Sequence, residues 1–111
     1  MKKLKVFFSQ PMRGKSEQQI RENRKQFWSV FQPECAKDLG ILEEELELID
    51  SILSEPDAPT VRLLAKSIEM MQEADIVVFL PGWDESRGCK VEFDVATKYK
   101  VEMRLRRIYY F

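Results

Sequence analysis

The chain's longest unbroken apolar run is Ile76–Leu80, bounded by Asp75 and by the turn-forming pair Pro81-Gly82. A run so short and so uniformly apolar suits a strand covered on both faces, the kind found in parallel sheets packed between helices. Leu4–Ser9 (LKVFFS) has the same character and reads as a first strand. Leu46–Asp50 reads as the second, Ile76–Leu80 as the third and Met103–Tyr110 as the last. The segments between them carry helical periodicity. Ser16 opens the first with a capping box to Gln19, and Ile20, Phe27 and Phe31 fall on one stripe. Pro33 is expected to interrupt or end that helix, with a short piece running to Leu39 and Gly40 as its stop. The stretch 51–59, with Pro56, Asp57 and Pro59, reads as loop. Thr60–Glu73 predicts a second helix with Val61, Leu64, Ile68 and Met71 on one face. Gly88–Tyr99 predicts a third, with Val91, Val95 and Tyr99 on a stripe. Strands alternating with helices in this order predict one α/β domain over residues 1–111, with a mostly parallel four-stranded sheet and right-handed crossovers.

Composition removes whole classes of function. The 111 residues suffice for one core, and no repeat, low-complexity tract or linker divides them. A net charge of −1 gives no global field toward nucleic acid or an anionic membrane, so neither is an expected partner. The opening MKKLKVFF is basic but lacks a sufficient apolar segment, so it reads as a strand rather than a leader, and a cytoplasmic location is expected. Cys35 and Cys89 lack metal-like spacing and are expected as reduced thiols. The chain contains no histidine, which excludes Ser-His-Asp and Cys-His nucleophile systems and His-rich metal sites. Acid-base work would fall to carboxylates, Tyr, Lys or Cys. The closing RLRRIYYF reads as an edge strand protected by charge rather than an RNA-binding strip, with a subunit contact through Tyr109, Tyr110 and Phe111 left open.

In a parallel sheet all carboxyl ends share one edge, where open α/β sheets bind ligands. That topology gathers Gln10, Arg13, Asp50, Asp84, Ser86, Arg87 and Glu92. Ser9–Ser16 (SQPMRGKS) runs from strand to helix, so its amides can face an anion. Gly14-Lys15-Ser16 is similar to the end of a P-loop, but Ser9 stands where its first glycine belongs and Pro11 lacks an amide donor, which argues against an NTPase. A tight turn explains the loop equally well. In Ser86-Arg87-Gly88, Arg87 supplies a forked donor, Ser86 a hydroxyl and Gly88 room for close approach; a plain helix cap fits the same residues. Glu92 lies about one turn into the third helix, where the macrodipole is expected to favour the ionised form that a nucleophile or oxocarbenium stabiliser must have. Ordinary helix composition also puts Glu there. Asp75 sits at the opposite edge and reads as structural. Trp83 could stack on a base or roof the core, and Met12, Met70 and Met71 read as gap-filling.

SQPMRG and ADIVVFLPGWDESRGCKVEFDVA together resemble the small nucleoside 2-deoxyribosyltransferase-like proteins, in the subgroup known as DUF4406. The likeness covers nearly the whole chain and rests on QPMRG after the first strand and PGW-x-x-S-RGC-x-x-E at the third helix. It implies a Rossmann- or flavodoxin-like three-layer sandwich. It also implies cleavage of the N-glycosidic bond of a deoxynucleoside or deoxynucleotide, with a glutamate attacking the anomeric carbon and the sugar passing to another base or to water. Glu92 matches the nucleophile in the Gly88-x-x-x-Glu92 pattern. Ser86 matches a position that holds the 5′-phosphate in the nucleotide hydrolases, and Arg13-Gly14 matches their first loop, which implies a monophosphate ligand. The substrate-binding set so implied is Ser9, Gln10, Met12, Arg13 and Gly14 from the first loop, with Trp83, Ser86, Arg87 and Gly88 from the second. Two positions depart from the superfamily: Phe7 or Phe8 replaces its first-strand tyrosine, and Ser67 replaces the catalytic aspartate of the second long helix. Protonation of the leaving base then falls to Asp50, Asp84 or Asp94, or does not occur. The resemblance thus implies an N-glycosidase or deoxyribosyltransferase acting on a small-molecule nucleotide or nucleoside, needing no metal or cofactor and assembling as a homo-oligomer. The alternative, prompted by Ser67, is a non-catalytic nucleotide-binding or sensing module on the same fold. A third option is a small adaptor acting through the aromatic C-terminal strand.

Overall fold

The computed structural model describes residues 3–52 and 60–111. Four strands and three helices alternate: β1 (Leu4–Ser9), α1 (Glu17–Leu39), β2 (Leu46–Leu48), α2 (Thr60–Met71), β3 (Ile76–Phe79), α3 (Arg87–Lys98) and β4 (Arg107–Tyr110). The sheet is wholly parallel in the order β2-β1-β3-β4. Strand alternation divides the core in two. Val6, Phe8, Ile76 and Val78 pack with Phe31, Cys35 and Ala36 of α1. Phe7, Val77 and Phe79 pack with Met71 of α2 and Ala96 of α3 on the other face. The result is a three-layer α/β sandwich of Rossmann- or flavodoxin-like type. Connections leave β1 toward β2 on one side and return toward β3 on the other, so the topological switch point lies between β1 and β3. Among the described residues no helix is long and apolar enough to cross a membrane.

The sequence expectations hold for the order of elements and fail at several boundaries. The capping box is formed, with Ser16 Oγ accepting from Gln19 N and Gln19 Oε1 accepting from Ser16 N. Gly40 closes α1 in the left-handed conformation. Pro33, however, neither ends nor interrupts α1. Its ring is exposed, while Phe31, Cys35 and Ala36 on either side of it are buried on the sheet. That burial outweighs the lost backbone hydrogen bond. β2 stops at Leu48 rather than Asp50, although Ile49 N still donates to Val6 O at 2.8 Å. β4 begins only at Arg107, because the chain turns through Arg104 at φ 57° and buries Met103 and Leu105 beforehand. On α3 the buried face is Cys89, Glu92 and Ala96. Val91 and Tyr99 of the expected stripe are 39% and 55% exposed. Val61, expected on the apolar face of α2, is exposed too. Apart from Ser51 and Ile52, the loop expected over 51–59 lies outside the described residues.

A proline inside a helix costs about 3 kcal/mol relative to alanine. Pro33→Ala is therefore expected to raise unfolding stability by about 1–3 kcal/mol, read from urea midpoints at unchanged slope. A lower midpoint would mean that the ring itself is needed for packing.

Candidate functional site

The site grows from the last residue of β1 and the one after it. Successive side chains on a strand point to opposite faces. Ser9 turns toward α2 and α3, and Gln10 toward α1; both are buried. Ser9 Oγ donates to Glu92 Oε1 at 2.8 Å, and Ser67 Oγ of α2 donates to Oε2 at 2.5 Å. Each carboxylate oxygen thus has its own hydroxyl donor, and the side chain is only 6% exposed. Glu92 falls in the second turn of α3, beyond the reach of the helix N-terminal dipole, which acts within the first turn. The expected dipolar preference for ionisation is therefore not the governing effect. Burial pushes the Glu92 carboxyl up from its ordinary value, against hydrogen bonds from Ser67 and Ser9 and the charge of Arg24.

On the other side of β1, Gln10 is held at both ends of its amide. Its Nε2 donates to Ile20 O at 3.0 Å, and its Oε1 accepts from Arg24 Nε at 3.0 Å. Arg24 Nη1 donates to Ser51 Oγ at 3.0 Å. Arg24 Nη2 is buried without a hydrogen-bond partner among the described residues. Burial pulls this guanidinium down to about 10, opposed by Asp50 and Glu92 and aided by Arg21. Sequence reasoning missed Arg24, although a signal was present. It occupies the stripe of Ile20, Phe27 and Phe31 on α1, where a charge has no reason to sit unless it has work at the sheet edge. Beside it a cavity of about 270 Å³ opens between α1 and the end of β2.

The structure distributes the remaining expected residues unevenly. Met12–Lys15 is a turn closed by Lys15 N to Met12 O at 3.2 Å, with Gly14 at φ 79°, a conformation that favours glycine. Arg13 on this turn is exposed and Met12 half-buried. The loop after β3 makes a similar turn, Trp83 N to Leu80 O at 3.1 Å with Gly82 at φ 89°. A Cβ on Gly82 would meet Pro11 Cγ at 3.5 Å, so the two loops touch. Trp83 packs on Phe93, Phe79 and Tyr110 with centroids 4.8, 5.2 and 5.8 Å away, and so roofs the core. Ser86 caps α3, its Oγ accepting from Cys89 N at 3.4 Å. Arg87 is exposed at the first position of α3. At Gly88 a Cβ would find only Leu64 Cδ1 at 3.9 Å, an ordinary contact, so space does not demand glycine there. Asp50 is exposed, accepts from Ile52 N and pairs with Arg21 at 3.7 Å. Asp84 and Asp94 are exposed as well, and the hydrogen bonds to Glu92 come from the two serines. Asp75 holds the opposite edge, accepting from Lys5 N at 2.8 Å.

A family model described as a domain of unknown function, DUF4406, matches residues 4–104. No curated protein and no solved structure matches the chain.

The raised Glu92 pKa has a sign that stability measurements can read. A carboxyl whose folded pKa lies above its unfolded value stabilises the fold below the unfolded pKa, and that contribution is lost as pH rises through the folded pKa. Wild type is therefore expected to lose stability relative to Glu92→Gln between pH ~4 and pH ~8. Thermal midpoints of both proteins at the two pH values check this. An equal gap at both would mean that Glu92 carries no burial penalty.

Proposed function

The chain belongs to the DUF4406 family, and from its site we propose a nucleotide-processing enzyme that cleaves or exchanges the N-glycosidic bond of a deoxynucleoside 5′-monophosphate with Glu92 as nucleophile. The observation that carries this reading is a buried carboxylate at the switch point, with both oxygens held by serine hydroxyls. Two fixed donors orient the carboxylate while leaving lone pairs for attack. One Glu92 oxygen would bond to the anomeric carbon as the carbon–nitrogen bond breaks. The bonding pair leaves with the base, which takes up a proton. Water or a second base then displaces the sugar from Glu92, restoring the carboxylate. Likeness to the nucleoside 2-deoxyribosyltransferase-like proteins supports the assignment through Gly88-x-x-x-Glu92, Arg13-Gly14 and Ser86. Contact between Ser67 and Glu92 gives it further support, since Ser67 falls where that superfamily carries an aspartate.

A second reading, a non-catalytic nucleotide-binding module, draws on the same contact. Both hydrogen-bond partners of Glu92 are serines, and neither can act as the acid that protonates a leaving base.

Incubation with a panel of deoxynucleoside monophosphates separates the two readings. Base release by wild type and its loss by at least about a thousandfold in Glu92→Gln would support the enzyme. Calorimetric binding with no base released would support the module. For the enzyme, activity is expected to rise with pH as Glu92 ionises. Ser67→Ala is expected to move that rise to higher pH, because the Ser67 hydrogen bond favours the ionised form. An unmoved pH limb would remove Glu92 from the ionisation that governs the rate.

A further inference from the structure

We propose that Arg24 is a positioning residue for Glu92: its guanidinium clamps Gln10 where the chain leaves β1, and that clamp keeps the Ser9 hydroxyl on the carboxylate. The pairing of β1 with β3 ends at Ser9, opposite Phe79, and Leu80 N donates to Ser9 O at 3.0 Å. Past that point Pro11 has no amide hydrogen to continue the ladder, and Arg13, Gly14 and Lys15 are exposed. A strand end frays unless something ties it down. Here the tie is a side chain. Gln10 Nε2 donates to Ile20 O at 3.0 Å, and Gln10 Oε1 accepts from Arg24 Nε at 3.0 Å. Arg24 is fixed in turn, because its Nη1 donates to Ser51 Oγ at 3.0 Å. One guanidinium on α1 therefore joins the end of β1 to the chain that follows β2.

The contacts of this guanidinium are internal. Arg24 is 5% exposed, and its third nitrogen, Nη2, is sealed from solvent without a hydrogen-bond partner among the described residues. A buried donor left unpaired costs about 1–3 kcal/mol, and more when charged. The return on that cost lies one residue from Gln10. Ser9 shares a peptide unit with Gln10, faces the other layer and donates to Glu92 Oε1 at 2.8 Å. Hydrogen bonds weaken steeply with angle, so a turn of Gln10 about the strand axis takes the Ser9 hydroxyl off the carboxylate. The charged and titratable groups that bear on Glu92 are Arg24 across β1 and the buried Cys89 thiol on its own helix, while Ser9 and Ser67 add hydrogen bonds. Arg24 in turn feels Asp50, Glu92 and Arg21, and Arg21 also pairs with Glu17. Arg24 thus has two routes to Glu92, its charge and its clamp, and the proposal assigns the positioning to the clamp. It rests on Glu92 as the functional carboxylate of the proposed reading and not on bond cleavage.

The test follows the Glu92 side-chain carboxyl through a pH titration by NMR of isotope-labelled protein. The proteins are wild type, Arg24→Lys, Gln10→Met and the same two substitutions combined with Ser9→Ala. Arg24→Lys keeps the charge but loses the rigid fork that holds Gln10 and Ser51 together. Gln10→Met removes the amide and leaves Arg24 in place. Both are expected to move the Glu92 midpoint upward, because the Ser9 hydrogen bond favours the ionised form. In the Ser9→Ala background both are expected to lose most of that effect. A rise of equal size with and without the Ser9 hydroxyl would overturn the proposal and leave Arg24 acting through its charge alone. An unmoved midpoint in both single variants would overturn it too. Should neither variant fold, hydrogen exchange in wild type decides. The Arg24 Nε proton is expected to exchange at least about a hundredfold more slowly than that of the exposed Arg13, and equal rates would mean that no clamp exists. None of these readouts needs turnover, so a protein that releases no base loses only the proposed activity.

Discussion

The alternation of side chains at the end of β1 governs the rest of the site. Ser9 and Gln10 are adjacent in sequence and face opposite layers of the sandwich. Ser9 reaches Glu92 and Gln10 reaches Arg24. A one-residue slip of β1 against β3 would exchange the two faces, placing Gln10 under α3 and breaking both hydrogen-bond sets. The apolar register of Val6, Phe7 and Phe8 opposes that slip, because each packs a different layer of the core. The packing of the sheet and the geometry of the site are therefore set by the same register.

The consequence is electrostatic. A buried carboxylate and a buried guanidinium lie on opposite sides of one strand and favour each other's charged form, yet each bonds to neutral amides and hydroxyls instead of to the other. Burying charged groups costs several kcal/mol each unless hydrogen bonds and an opposing charge offset it. Four short contacts supply part of that offset, at 2.8, 2.5, 3.0 and 3.0 Å. The shift directions at both groups show that desolvation still dominates. Such a pair is poorly explained by stability, since apolar residues would fill the same space at lower cost.

Most of the fold was legible because its signals are local. Leu4–Ser9, the Ser16 capping box and Gly40 each rest on neighbouring residues and appear where expected. The failures share a cause: tertiary burial overrode a local rule. Pro33 stays helical because α1 packs on the sheet on both sides of it. On α3, Val91, Val95 and Tyr99 have helical spacing and Val95 packs against the core, but Val91 and Tyr99 are exposed and the buried face is the one containing Glu92. A carboxylate in that face made it look like the wrong one. Arg24 was overlooked for the same reason, as a charge inside the apolar stripe of α1. Both faces contain a buried charge, and those two charges lie in the candidate site. Positions where hydrophobic patterning fails are where function is best sought.

Ser67 sharpens what this arrangement can do. A carboxylate in its place would set two acids within hydrogen-bond reach of each other, and repulsion would drive one pKa far up. That couple suits an enzyme that needs a nucleophile and a proton donor together. With a hydroxyl instead, Glu92 gains a donor that favours its ionised form and loses a proton source beside it. On the proposed reading, the nucleophilic half of the chemistry would be strengthened and the protonating half lost. A site so altered suits leaving bases that depart with solvent's help, or ligands that are held and not cleaved. The identity of residue 67 bears on those outcomes more directly than any residue of the exposed loops, because its side chain hydrogen-bonds to the carboxylate.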